Sequence, residues 1–321
     1  MIGAAQRRFG LDRSPLRLAV AGALAALGLG AGPARAAEGC EPQPSRGGAS
    51  AQLAEGLRLA RLECWESALG PLAEAARLGP TLAEAQLNLG IALARTGRHE
   101  AALRALGEAA RLKPALESAH QALGLTYLMM DRPVDAAVAY ERALALAPAD
   151  LTARLNYGVA LERSGRLVEA LAAYERVLQG RSDDAQVWNA LGGVLLSLGR
   201  NAEAREACRQ AVRLRPDFAE AHYHLALASL ALDRVEEAVS ACQAALRSQP
   251  EFPQARRALE RALSRARVRS GLVAVLAFRR RPSGATPSSL HSRRSAHPAA
   301  APQMSPTVKP SGNGSSGSTT Y

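Results

Sequence analysis

The sequence predicts an all-α protein, a right-handed α-solenoid of about six helix–turn–helix repeats followed by a C-terminal capping helix. Hydrophobic residues make up 48% of the chain and aromatic residues only 4%, so Ala and Leu dominate the apolar content. Both are strong helix formers. The chain also repeats itself with a fixed period of 34, and apolar residues recur at helical spacing within each period. Together these observations favour a stack of small helices over a β-rich core.

The formal net charge of +11 belongs to the two ends of the chain. Residues 1–36 carry +4 and residues 253–321 carry +11, whereas residues 49–252 carry −3. A protein that binds nucleic acid through its repeats needs a basic stripe for the phosphate backbone. The nearly neutral middle argues against that class of function.

The first 36 residues have the order of a secretory signal peptide. Four Arg lie within residues 1–17, residues 18–32 are uncharged and mostly Ala, Leu and Gly, and Ala34-Arg35-Ala36 is an A-x-A cleavage pattern. A membrane span needs ~20 apolar residues, so an uncleaved anchor is the weaker alternative. The pair Arg7-Arg8 also allows twin-arginine export, and Gly39-Cys40 allows lipidation of the cysteine. We expect cleavage after Ala36, a leader segment over 37–48, and a periplasmic or secreted bacterial protein.

Six repeat units follow one another without a gap. They span residues 49–82, 83–116, 117–150, 151–184, 185–218 and 219–252. We number positions within a unit from 1 to 34. Position 8 is Gly in five units, position 20 is always Ala, position 27 is Ala in five units, and position 32 is Pro in five units.

Each of these positions has a physical reason. Small residues at positions 8 and 20 allow two antiparallel helices to approach, because a larger side chain would strain the packing. Position 15 is Gly97, Gly165 and Gly199 in three units, where the first helix should end and turn. Proline at position 32 stops the second helix.

The pattern resembles the tetratricopeptide repeat family. The family signature is followed in order by Trp188, Leu191, Gly192, Leu195, Ala204, Cys208, Ala211 and Pro216, and again by Leu123, Gly124, Tyr127, Ala136, Tyr140, Ala143 and Pro148. The match covers residues 49–252. Position 24 departs from the family's aromatic preference in several units, and Glu55 makes the first unit the least regular. A 35-residue RNA-reading helical repeat is the nearest rival, but the period of 34 and the charge of −3 disfavour it.

Three segments follow the sixth unit. Residues 253–267 read as a capping helix, so the solenoid is expected to span 49–267. Residues 268–281 are either a degenerate helix or a basic, apolar segment that makes weak contact with a membrane surface. Residues 282–321 are rich in Ser, Pro, Gly and Ala and are expected to be disordered.

The four cysteines form two groups. Cys208 and Cys242 share position 24 of adjacent units, where stacked helices lie ~8–10 Å apart, too far for a disulfide. We read them as small buried residues. Cys40 precedes the repeats and Cys64 lies at the first turn, so a Cys40–Cys64 bridge in an oxidising compartment is a hypothesis.

The sequence contains no H-E-x-x-H, Walker, G-x-S-x-G or C-x-x-C motif, and the six His have no metal-ligand spacing. We therefore expect no catalytic residue, no metal site, no cofactor and no small-molecule substrate. The recurring Arg at position 16 is interpreted as a solvated residue beside the turn.

The family resemblance implies a concave groove lined by positions 2, 5, 6, 9, 12 and 13 of each first helix. Asn88 and Asn156 share position 6, and an amide there could grip an extended peptide backbone. The alternative is that both are tolerated surface residues. The candidate groove residues are Asn88, Ile91, Arg95, Gln121, Leu125, Asn156, Val159, Arg163, Asn189, Tyr223 and His224.

The function expected from these features is that of an exported, non-enzymatic scaffold that binds a protein or peptide partner in its concave groove. The alternative is a recognition subunit of an enzyme system, such as a transferase or secretion system, whose catalytic chain is separate. A third possibility is binding of anionic lipid or nucleic acid by the Arg-rich end.

Overall fold

The computed structural model describes residues 40–42 and 47–279, with side chains described to residue 269. The expected signal peptide (1–36) and tail (282–321) lie outside the described residues. The chain divides into two units between Leu272 and Val273. Of the segment from Val273 onwards, only the helical backbone to Arg279 is described.

The described residues form thirteen helices and no strands, which confirms the all-α class. The first helices of the six repeats are α1 (Ala49–Arg61), α3 (Ala83–Arg95), α5 (Glu117–Met129), α7 (Leu151–Arg163), α9 (Ala185–Ser197) and α11 (Ala219–Ala231). The second helices are α2 (Trp65–Leu78), α4 (His99–Leu112), α6 (Pro133–Leu146), α8 (Leu167–Gly180), α10 (Asn201–Leu214) and α12 (Val235–Ser248). The last helix is α13 (Pro253–Arg279).

Each repeat packs its two helices together and then packs on the next repeat. Every first helix contacts the second helix of its own unit, and every second helix of repeats one to five contacts the first helix of the following unit. A helix pair of this kind leaves an apolar face that only a neighbouring pair can cover. The core is therefore a row of buried clusters along the stack.

The glycines at position 8 allow the two helices of a repeat to approach each other. A Cβ added at Gly158 would lie 2.6 Å from the ring of Tyr174, and one at Gly124 would lie 2.7 Å from the ring of Tyr140. In both cases the ring belongs to position 24 of the same unit. The glycine therefore makes room for the largest core side chain of its own repeat.

The turn residue at position 15 adopts a left-handed backbone in all six units. Gly97, Gly165 and Gly199 have φ between 76° and 82°, and Glu63, Asp131 and Asp233 have φ between 57° and 61°. Glycine adopts this conformation without strain, whereas for other residues it is less favourable by about 1–2 kcal/mol in conformational energy. Three repeats thus turn on an acidic residue.

A disulfide joins Cys40 to Cys64, with their Cα atoms 5.5 Å apart. The bond ties the chain ahead of the repeats to the start of α2, and Cys40 also packs on the core cluster of the first repeat. Cys208 and Cys242 are free and buried.

The capping helix is longer than we expected. It continues through residue 267 to Arg279 as one helix, so the backbone of residues 268–279 is helical and continuous with the capping helix. The reason is local. Arg267 occupies position 15 of this seventh period, where the other units have Gly, Asp or Glu, and Ser270-Gly271 alone does not end the helix.

Candidate protein-binding surface

In several pairs of neighbouring repeats the first helices contact each other directly. Arg163 Nη1 on α7 donates a hydrogen bond of 3.0 Å to the Leu128 carbonyl on α5. Asn189 on α9 and His224 on α11 are joined by a hydrogen bond of 2.8 Å. We call the side of the first helices that carries positions 2, 5, 6, 9, 12 and 13 the first-helix face.

Five of the eleven candidate residues are half-buried on the first-helix face. They are Asn88, Ile91, Arg95, Gln121 and Arg163. These side chains have exposed atoms that a partner could contact. They come from α3, α5 and α7, so the accessible candidates belong to repeats two to four.

Four of these five side chains already have neighbours that hold them in place. The Asn88 amide donates to the Glu84 carbonyl of its own helix at 2.7 Å. The Gln121 amide donates to the Asp150 carboxylate at 2.7 Å, and Asp150 in turn accepts from the backbone of Thr152 at 2.8 Å as the N-cap of α7. Such bonds fix the rotamers and reduce the entropy lost when a partner binds.

Arg95 is also held in place on this face. Its guanidinium lies 4.6 Å from the ring centroid of Trp65, a cation–π contact. Burial lowers the pKa of Arg95 to about 10, and the charge of Glu63 partly offsets that decrease. The side chain therefore remains charged at neutral pH.

The other six candidates are buried, so the expectation that they line an open groove is wrong in its detail. They are Leu125, Asn156, Val159, Asn189, Tyr223 and His224, with exposed fractions of 0–8%. The physical reason is that the cover supplied by neighbouring side chains differs from unit to unit: position 5 is buried at Leu87 but half-buried at Leu155. Sequence spacing assigns a helix face but cannot measure this coverage.

Asn156 is the clearest correction. Its side chain has no exposed surface, and it faces Tyr140 of the preceding repeat, whose pKa is raised by burial and partly lowered again by the amide. Neither amide atom of Asn156 nor the Tyr140 hydroxyl has a hydrogen-bond partner of good geometry. Asn156 is thus a core residue between repeats three and four, while Asn88 at the same position lies at the surface.

Asn189 and His224 form a second buried polar pair. Burial lowers the pKa of His224 to about 4, so the imidazole is neutral at neutral pH. The ring of His224 also lies 5.6 Å from that of Tyr223, which packs on Phe252 with ring centroids 5.1 Å apart. This group anchors the sixth repeat and is not a metal-ligand set.

The Tyr174 hydroxyl donates a 2.8 Å hydrogen bond to the Glu162 carboxylate, a contact that sequence reasoning missed. Burial raises the pKa of Glu162 to about 7, and the Tyr174 hydrogen bond limits the increase. The available signal was an acidic residue at position 12 of the fourth repeat, where the other five units have Ala or Leu.

The arginines at position 16 are mostly ion-paired. Arg132, Arg166 and Arg200 each contact an acidic residue three positions later, at 2.9, 2.5 and 2.5 Å. Arg98 pairs with Glu66 of the preceding repeat. They therefore do not form a free basic ladder.

Two further observations bear on chemistry and membranes. Within the described residues, no group of three or more His, Cys, Asp or Glu is arranged to hold a metal ion. None of the helices in that part of the chain combines the length and the apolar character that a membrane span needs.

Comparison with known structures shows the same fold. A chain of the APC/C heterotetramer Cut9–Hcn1 is 22% identical, with a TM-score of 0.53. The match covers 67% of this chain but only 43% of the Cut9–Hcn1 chain. YrrB, a TPR protein described as having an unusual peptide-binding site, is 20% identical with a TM-score of 0.54, over 59% of this chain and 97% of its own. MamA is 24% identical with a TM-score of 0.51, over 54% and 94%. No curated protein sequence matches the chain.

Family models confirm the resemblance seen in the sequence. Two models of the tetratricopeptide repeat match, one over residues 53–117 and 189–251 and the other over residues 127–193. The matched residues cover nearly all of the stack from α1 to α12. The chain therefore belongs to the tetratricopeptide repeat family, and its architecture is that of a protein–protein interaction scaffold.

Proposed function

We propose that the chain is an exported, non-enzymatic scaffold that binds a segment of a partner protein along the first-helix face of repeats two to four. The observation that carries this proposal is the set of half-buried side chains there, which are held in position yet retain exposed atoms. Leu155 of α7 is half-buried on the same face and adds a second apolar side chain to it, two repeats away from Ile91 of α3. Preorganised apolar and polar groups of this kind favour an extended or helical peptide.

The fold comparison supports the same conclusion at a coarser level. YrrB, which shares the fold, is described as having a peptide-binding site. Because the identity is 20%, the likeness carries over the architecture alone, and the identity of the partner must come from experiment.

Peptide selection tests the binding surface. We would select binders from a displayed random peptide library on the purified full-length protein, and then measure the affinity of the recovered peptides for Ile91→Arg/Leu155→Arg. We expect a loss of about tenfold or more, since a cation in an apolar contact is poorly tolerated. The matched control is Val168→Arg, because Val168 is 68% exposed on α8, outside this face. Equal binding by all three proteins would refute the assignment.

Export is supported by the Cys40–Cys64 disulfide, because disulfides persist in oxidising compartments and are rare in the cytosol. We expect full-length protein produced in bacteria to be recovered outside the cytoplasm with Ala37 as its first residue. Denatured without reductant, it should show two free thiols, from Cys208 and Cys242. Uncleaved cytoplasmic protein with every cysteine reduced would contradict the proposal.

A further inference from the structure

The terminal helix α13 is the first helix of a seventh repeat. It begins at Pro253, one full period after α11 begins at Ala219. Ala255, Ala258 and Ala262 are buried against the sixth repeat. Arg265, at position 13 of the seventh period, donates to the Leu230 carbonyl at 2.8 Å, as Arg163 does to Leu128 in the fourth. The first-helix face therefore continues onto α13.

On α13 this face carries three arginines in a row. Arg257, Arg261 and Arg265 occupy positions 5, 9 and 13, so they lie one above another on consecutive helical turns. All three are exposed. In repeat six the same positions are Tyr223, Leu227 and Ala231, so the character of the face changes from apolar to cationic at this boundary.

Two of these arginines have no partner within the described part of the chain. Arg265 is held by the Leu230 carbonyl, but neither Arg257 nor Arg261 forms a hydrogen bond or ion pair with the described residues. Glu260, the single acid among residues 253–269, pairs with neither. Several arginines of the repeats, by contrast, have a carboxylate in direct contact, as Arg166 does with Glu169 and Arg200 with Glu203.

The spacing of Arg257 and Arg261 matches an extended acidic peptide. Four residues along a helix rise about 6 Å. Alternate side chains on one side of an extended chain are about 6.6–6.8 Å apart. Guanidinium groups bind carboxylates in a bidentate manner. Single-stranded nucleic acid is less well matched, because it is usually held by stacking on aromatic side chains and residues 253–269 contain none.

We infer that Arg257 and Arg261 bind the carboxylates of a partner segment with acidic residues at alternate positions, which lies along the first-helix face and ends on α13. This inference rests on the proposed function, since it names the chemistry of the segment that the scaffold binds. Arg257 and Arg261 lie at only one end of the first-helix face. They would therefore also set the direction of the bound segment, because its acidic residues are attracted to that end.

The peptide selection described above also tests this inference. We expect the recovered peptides to be enriched in Asp and Glu at alternate positions. Arg257→Glu/Arg261→Glu should bind them about tenfold or more weakly, with a reduced dependence on salt. Arg257→Lys/Arg261→Lys should lose less affinity because the charge remains. The matched control is Arg104→Glu/Arg142→Glu, since both residues are exposed on second helices, α4 and α6. Melting temperatures show that each variant is folded.

The outcomes separate the two proposals. Peptides that bind through Ile91 and Leu155 but show no acidic enrichment, and that bind Arg257→Glu/Arg261→Glu normally, would overturn the inference and leave the proposed function standing. A selection that yields no binder would overturn both. A third outcome would also overturn the inference. In it, wild-type protein binds vesicles of phosphatidylcholine and phosphatidylserine, Arg257→Glu/Arg261→Glu does not, and both proteins bind the peptides equally. Arg257 and Arg261 would then be a lipid-binding site.

Discussion

The side chain of Arg163 reaches back to Asp131 of the preceding repeat, where its Nη2 lies 2.6 Å from the carboxylate. The same guanidinium also donates to the Leu128 carbonyl at 3.0 Å, near the C-terminus of α5. One side chain thus caps the end of a helix and neutralises the acidic residue that turns the chain after it.

This relationship follows a rule across the stack. Repeats one, three and six have an acid at position 15, and the unit that follows each has Arg at position 13, namely Arg95, Arg163 and Arg265. Repeats two, four and five have Gly at position 15, and the following units have Met129, Ser197 and Ala231. Arginine at position 13 therefore occurs where the preceding unit has an acidic residue with a strained left-handed backbone at position 15. It is absent where glycine adopts that backbone without strain.

The first prediction concerns this pair. Arg163→Met should lower the free energy of unfolding by about 1–2 kcal/mol, because it leaves the Leu128 carbonyl and Asp131 without their partner. Asp131→Gly/Arg163→Met should recover most of that loss, since it recreates the Gly and Met combination of repeats two and three. Urea unfolding of the two single variants and the double variant gives the coupling energy. Strictly additive effects would show that the two positions are independent.

The second prediction concerns helix approach. Gly158→Ala should destabilise the protein by about 1–3 kcal/mol, because its Cβ would lie 2.6 Å from the Tyr174 ring and the packed interior cannot move freely. Gly107→Ala in α4 is the control, since nothing lies within 4 Å of its added Cβ. It should stabilise the protein by about 0.5–1 kcal/mol through helix propensity. Thermal melts compare the two, and a destabilised Gly107→Ala would show that propensity does not govern open positions.

Much of the fold could be predicted because the residues that determine the shape of each helix–turn–helix unit lie within that unit. The small residue at position 8, the turn residue at position 15 and the proline at position 32 meet requirements within a single repeat. They therefore recur with the period of 34, and sequence alone identifies them without knowledge of the adjacent repeats. The length of α13 was predicted less well, because no local signal marks how far a helix continues once its turn residue is missing.

The binding surface could be predicted only in part. Position 6 holds Asn88 and Asn156, yet one is half-buried and the other fully buried. Asn156 is more buried because Tyr140 contacts it. Tyr140 belongs to the preceding repeat, so the two side chains meet only when the repeats stack. Burial depends on side chains that a neighbouring repeat supplies, so periodicity alone cannot assign it.

The third prediction follows from the burial of Asn156. Because its amide and the Tyr140 hydroxyl lack good hydrogen bonds, replacing both with apolar groups of similar size should be stabilising. We expect Asn156→Leu/Tyr140→Phe to raise the free energy of unfolding by about 1–2 kcal/mol, whereas Asn88→Leu at the half-buried position should change it by less than about 0.5 kcal/mol. A double variant less stable than wild type would indicate an internal water that satisfies the pair.

The fourth prediction concerns Glu162 and pH. Its folded pKa of about 7 lies above the ordinary value of 4.5, so the folded state binds the proton more tightly than the unfolded state. Stability from this group is therefore fully present below about pH 4.5 and is lost as the pH rises through about 7. Glu162→Gln, which keeps the shape and accepts the Tyr174 hydrogen bond, should remove this loss. The melting temperature of wild type relative to Glu162→Gln should thus fall between about pH 5 and pH 8. A constant difference across that range would mean that Glu162 titrates as it does in the unfolded chain.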